Sequence, residues 1–252
     1  MENLKDIVKF LDTYLKTDEI EDRSWNGLQV EGKAKVNKII FTENAGKDAF
    51  KKSLEKGGDL IVVHHGILWK NTNPSFRNWH KERISLLAKK EVSLYASHLP
   101  LDRHRKVGNN AQLLKLLGAV IKKEFLLYEN KHISWIGEFK KPVRPEEIIK
   151  KLNSKLNTKC VSLLFGKKKI KTIALCSGSG GSASFNEALE KEVDLYLSGE
   201  SPDVYTLAKD ARCNAIFAGH YATETLGLKA LMEVVKNKLK VKTLFIDIPT
   251  GL

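Results

Sequence analysis

The chain has 252 residues, 42% of them hydrophobic and 29% charged, and its 43 Lys and Arg against 30 Asp and Glu leave a formal net charge of +13 at pH 7. This length buries a full core, as one large domain or two smaller ones, whereas no apolar run approaches the roughly 18 residues of a membrane-spanning helix. A helical membrane protein is thereby excluded and no membrane partner is expected; the positive charge is mostly lysine on a solvated surface, and it also admits nucleotides or nucleic acid as partners.

The opening MENLKDIVKFLDTYLK puts Leu4, Ile7, Val8, Leu11 and Leu15 on one helical face and lacks the basic, apolar and small-residue order of a signal peptide, so a retained helix is expected. Trp25-Asn26-Gly27-Leu28-Gln29-Val30 reads as a turn feeding a strand, with Asn and Gly serving backbone geometry. Strand and helix patterns then alternate: KIIFTEN, GKDAFKKSLEKG, DLIVVHH, a helix near 80 to 90, VSLYASH and NNAQLLKLLG. The second half repeats the scheme with HISWIGE, a helix begun by Pro145-Glu146-Glu147, CVSLLFG, KTIALCSGSGG and a helix near 183 to 191. VDLYLSGE, a further helix, NAIFAGH, a long helix and TLFIDIP follow. Such alternation predicts an α/β fold, and the apolar strands predict sheets covered on both faces.

KIIFTEN aligns with KTIALCSGS, GGDLIVVHHG with EVDLYLSGE, and VSLYASHLPLD with NAIFAGHYATE. Asp59 follows Ile39 by 20 residues and Asp194 follows Ile173 by 21. The expectation is two similar α/β lobes from an internal duplication, a first over 1–125 and a second over 126–252, with interlacing of the two left open. Polar strand ends of both would face one cleft, since ligands of open α/β sheets bind at the carboxyl ends of the strands. Cys160, Cys176 and Cys213 lie far apart in apolar runs, which suits reduced thiols and a cytoplasmic location.

Histidines and carboxylates stand at those strand ends: His64 and His65, His98 and Asp102, Glu200, then His220 and Glu224. A single such histidine is ordinarily a hydrogen-bonded core residue, but four of the seven in the chain end apolar strands, and imidazole with carboxylate suits Zn, Fe, Mn or Ni. His220 and Glu224 share a face if a helix starts at the Gly-His turn; Pro100 between His98 and Asp102 suggests a loop there. The set suffices for two divalent ions if a carboxylate bridges them, an arrangement that polarises substrate oxygens in hydrolases. Ser177-Gly178-Ser179-Gly180-Gly181-Ser182 lies between a strand and a helix, where Gly178, Ser179, Gly180 and Gly181 would hold a phosphate; a tight turn explains the glycines equally well. The lysine clusters GKKKIK and KNKLKVK match no nucleic-acid-binding motif.

Taken in order, WNGLQV, VVHHGILW, SHLPLD with GNN, GSGG, SGE and AGHYATE resemble the NIF3-like family, whose members are called type 2 GTP cyclohydrolase homologues. The resemblance implies two α/β lobes, a dinuclear metal site in the cleft between them, and a homohexameric ring built as a trimer of dimers. It assigns Glu224 as the bridging ligand, His65 and Asp102 to one ion, and His64 and His220 to the other. His98 matches the histidine of an H-x3-D motif and suits a supporting or proton-relay role, as Glu200 suits proton transfer. Leu99 stands where the family more often has threonine, and Ser201-Pro202-Asp203-Val204-Tyr205 lacks a histidine often found after its G-E motif; the ligand motifs stay intact. The expected function is metal-dependent hydrolysis of a nucleotide-like or phosphate-bearing substrate. The competing expectation is a metal-stabilised regulatory or nucleic-acid-binding ring.

Overall fold

The computed structural model describes all 252 residues. They form two compact units, Met1–Leu101 with Leu228–Ile248, and Asp102–Gly227 with Pro249–Leu252. The fold is mixed α/β, and no helix is long and apolar enough to cross a membrane.

In the first unit a five-stranded sheet runs in the order Lys242–Phe245, Lys38–Asn44, Leu60–His65, Ser93–Ala96, Gly27–Val30. The first four strands are parallel and Gly27–Val30 closes the edge antiparallel. Parallel neighbours need crossover connections, supplied by the helices Lys47–Glu55 and Asn78–Lys89. Ile39, Ile40, Phe41, Ile61, Val62 and Val63 are fully buried, as a sheet covered on both faces demands. The helix Leu4–Leu15 buries Leu4, Ile7, Leu11 and Leu15 of the face its spacing predicts, while Val8 at the margin of that face is half-buried.

The second unit holds a six-stranded sheet in the order Ala119–Tyr128, Lys131–Val143, Ile170–Cys176, Leu195–Ser198, Asn214–Phe217, Val161–Leu164. Its last three strands before Val161–Leu164 are mutually parallel, and every other pairing is antiparallel. Alternate residues of the parallel strands enter two cores. Leu175, Leu197 and Ile216 pack on one face, and Ala174, Tyr196 and Phe217 on the other.

One device recurs. Asp59, just before the strand Leu60–His65, accepts on Oδ2 from the N–H groups of Asn37 (2.8 Å) and Lys38 (3.2 Å). Asp194, just before Leu195–Ser198, accepts on Oδ2 from Lys171 (2.8 Å) and Thr172 (3.0 Å).

Two expectations change. The stretch Ala119–Tyr128, not anticipated as a strand, forms a hairpin with Lys131–Val143; its Lys122, Lys123 and Glu124 are solvated because it is an edge strand. Asp102 does not sit in a loop: Leu99–Arg103 is a short helix, and Pro100 is tolerated because first-turn residues donate no intrahelical bond. All three cysteines are free, with Cys176 and Cys213 buried.

Candidate metal centre

His64 and His65 end a central strand of the first unit, and the ladder carries them: His65 pairs with Asn44 while Val63 pairs with Ala96. Adjacent side chains of a flat strand point apart, yet here the ring centroids lie 4.7 Å apart at 43°. The chain leaves the sheet at Gly66, where a β-carbon would overlap the Gln29 amide and meet Ala96 Cβ at 2.7 Å. Only glycine lets the turn pass so close. His98, after the neighbouring strand, completes a triangle with centroid separations of 5.1 Å to His64 and 5.5 Å to His65.

Each of these rings is anchored through Nδ1. His64 donates to Ser97 O at 2.9 Å, His65 faces Glu43 Oε1 at 2.8 Å and Asn44 Oδ1 at 3.0 Å, and His98 faces Asp22 Oδ1 at 3.0 Å. Acceptors at Nδ1 place the proton there and make Nε2 the basic nitrogen, the tautomer found in metal-ligating histidines. One ring nitrogen from each of His64, His65 and His98 falls within 4.8 Å of the others, so the three can hold a metal ion. Asp22 also accepts from Leu99 N (3.0 Å), Ser24 N (3.0 Å) and Asn26 Nδ2 (2.9 Å). Burial opposes its charge, but the His98 ring, the Asn26 amide and the Ser24 N–H outweigh burial and hold the carboxyl down to about 2.

The second unit gathers carboxylates. Asp102 is buried, and its Oδ1 accepts from Asn109 Nδ2 at 2.8 Å and Ser177 Oγ at 2.9 Å. Asn110 ties the segment together by donating to Asp102 O (3.3 Å) and accepting from Ser177 N (2.7 Å). The helix His220–Lys238 starts at the histidine, which sets His220 Nε2 3.0 Å from Glu224 Oε2 at the i,i+4 spacing. His220 Nδ1 lies 2.6 Å from Glu200 Oε1. Asp102 and the buried Glu224 each offer a carboxylate oxygen within 4.8 Å of the other's. Burial alone would lower the His220 pKa, but Glu224 and then Glu200 raise it to about 9. Both carboxylates favour the protonated ring, so a cation entering there competes with a proton. The hydrogen bond from His220 lowers the Glu200 carboxyl, aided by the Ser179 hydroxyl.

The glycine loop is explained at two positions by close packing. Gly178, with φ +62°, lies where a β-carbon would overlap Glu224 Oε1, and at Gly180 one would overlap Ser184 Oγ. Gly181, with φ +60°, faces open space. The loop directs Ser177 to Asp102 and Ser179 to Glu200, and the helix Gly181–Glu190 begins at its end.

Residues unmarked in the sequence do much of the positioning. Asp22 and Glu43 are buried acids that anchor His98 and His65. The WNGLQV stretch is a brace as well as a turn and strand: Asn26 Oδ1 accepts from His98 N (2.7 Å), and Gln29 Oε1 accepts from Ile67 N (2.7 Å). Within each unit the donor set, imidazoles oriented by carboxylates or carbonyls and carboxylates oriented by amide and hydroxyl donors, fits a first-row divalent ion.

A family model described as Duf34/NIF3 (NGG1p interacting factor 3) matches residues 2–251. A Pyrococcus abyssi protein named GTP cyclohydrolase 1 type 2 homolog is 46% identical over 250 residues, covering 98% of this chain and 99% of its own. Among solved structures, a structural-genomics protein named ybgI superposes with a TM-score of 0.93 at 31% identity, and a protein from Thermus thermophilus with 0.88 at 34%. Each covers 100% of both chains.

Proposed function

The chain belongs to the Duf34/NIF3 family, and from that premise we propose that it is a metal-dependent hydrolase of a nucleotide-like or phosphate-bearing substrate, with a dinuclear divalent site. The relatives' name makes opening of a GTP-like ring the specific form of this reading. The observation that carries it is the shared tautomer of His64, His65 and His98, each with Nδ1 held by an acceptor. In this reading His64, His65, Asp102 and His220 would be ligands, and Glu224 would be shared between the ions. Zn, Fe, Mn and Ni all suit these donors.

Bound divalent ions would supply Lewis acidity to a substrate oxygen and lower the pKa of water. The chain's own residues supply positioning and protons. His98, with its Nδ1 proton toward Asp22, and Glu200, sharing a proton with His220 Nδ1, are the groups placed to carry protons. The Gly178–Gly181 backbone before the helix Gly181–Glu190 is the proposed phosphate cradle. A screen of nucleotides and phosphoesters with Mn, Fe, Zn or Ni tests the reading. Turnover lost in Glu224→Ala supports it, and no turnover with any substrate and metal overturns it.

The paired Asp59 and Asp194 clasps support descent of the two lobes from one duplicated α/β unit. Family likeness supports a homohexamer, a trimer of dimers, and the free thiols support a cytoplasmic location. The charge of +13 favours a second reading, a metal-stabilised ring that binds nucleic acid without hydrolysis. Salt-sensitive DNA binding that survives His64→Ala supports that alternative; its absence at low salt removes it.

A further inference from the structure

We infer that a cavity next to the histidines of the first unit receives the planar heteroaromatic ring of an anionic substrate, which deepens the nucleotide reading above and rests on it. The cavity, about 280 Å³, is lined by Trp69, Arg77, Trp79, His80 and Arg83 among others. It shares Gly66, Trp69 and Arg83 with a second cavity of about 600 Å³ whose wall includes His65 and Lys47. A ligand seated in the first therefore extends toward the His65 ring along Trp69, whose own ring lies 6.0 Å from His65 and 5.1 Å from His98.

His80 is the decisive group. It is 7% exposed, and neither ring nitrogen has a hydrogen-bond partner within the protein. Buried polar atoms are normally satisfied; both His80 nitrogens are closed to solvent as well as unmatched, so a ligand edge reaches them when the exposed Phe76 and Trp79 rings beside them turn aside. A neutral imidazole offers one donor and one acceptor, and the edge of a nucleobase offers both in turn. The surrounding rings supply faces: Trp79 and Phe76 each lie 5.5 Å from His80 and stay 63% and 59% exposed. Arg83 sits 5.6 Å over the Trp79 ring, its Nε also unmatched, and Arg77 adds positive charge for a phosphate. Aromatic faces, a hydrogen-bonding edge reader and cations together are what proteins use to hold single nucleotides.

Isothermal titration of the purified protein with GMP, guanosine and inorganic phosphate tests this, using His80→Gln and the surface substitution Trp79→Ala. Circular dichroism melting checks that both fold. GMP and guanosine are expected to bind, and each variant is expected to weaken GMP roughly tenfold while leaving phosphate unchanged. GMP binding with the same Kd in both folded variants overturns the subsite and leaves the nucleotide reading standing. Failure of the unaltered protein to bind GMP and guanosine overturns both. GMP binding no tighter than inorganic phosphate, equal in all three proteins, overturns the aromatic subsite.

Discussion

Asp22 holds His98 across 76 residues of sequence, with Nδ1 3.0 Å from one carboxylate oxygen and 3.2 Å from the other. The same carboxylate receives Leu99 N, so it fixes the histidine's ring and the start of the helix that carries Asp102. Asp22→Ala leaves buried N–H donors unmatched and should destabilise the protein by roughly 2 to 4 kcal/mol. Urea denaturation measures this, and a loss below about 0.5 kcal/mol would show that the contact is incidental.

The same residue sets an acid limit. Its folded pKa of about 2 lies below the usual 3.8, so its stabilisation is present above the unfolded value and disappears as pH falls from about 4 toward 2. The shift corresponds to roughly 2 kcal/mol. Stability curves between pH 5 and 2 should therefore fall less steeply for Asp22→Asn than for the unaltered chain; parallel curves would refute the assignment.

Glu224 is the proposed shared ligand. Metal analysis of the purified protein should return about two ions per chain, and Glu224→Ala should return none. Chelation should lower the melting temperature of the unaltered protein but not of the variant. Retention of one ion by the variant would reassign Glu224 as a terminal ligand.

Asn109 and Ser177 both donate to Asp102 Oδ1. Replacing either with Ala removes no ligand but releases the carboxylate from its orientation, and should weaken metal affinity by roughly 10- to 100-fold. Competition with a chromophoric chelator reads this directly. Unchanged affinity in both variants would mean that Asp102 is positioned by its backbone alone.

Gly178 and Gly181 have nearly the same φ but different surroundings. Gly181→Ala should cost only the left-handed penalty of about 1 to 2 kcal/mol. Gly178→Ala adds an overlap with Glu224, so it should cost more and also lower metal content. Equal stability and equal metal content in the two variants would contradict this packing.

Much of this centre is visible in the sequence because apolar strands end in residues that water-soluble cores do not need. His64, His65 and His98 follow such strands, and the spacing of His220 and Glu224 already matches one helical face. Asp22 and Glu43 carry no such mark: IEDRS and FTEN look like ordinary polar stretches, and only tertiary folding buries these acids beside imidazoles. The partner of Lys242–Phe245 is equally hidden. Its parallel neighbour is Lys38–Asn44, some 200 residues earlier, and local periodicity does not encode which sheet edge a late strand will join. Ala119–Tyr128 escapes notice because its solvated edge interrupts the apolar run with Lys122, Lys123 and Glu124.

The Asp59 and Asp194 clasps bear on how each sheet finds its alignment. Antiparallel neighbours can inherit their offset from a tight hairpin, but parallel neighbours are joined through a helix and receive no such instruction. One carboxylate oxygen gripping two successive amides of the adjacent strand does the work of the missing turn. A slip by one residue would forfeit both bonds and send His65 to the opposite face, so each aspartate acts as a stop that keeps the chemistry at the strand ends in step.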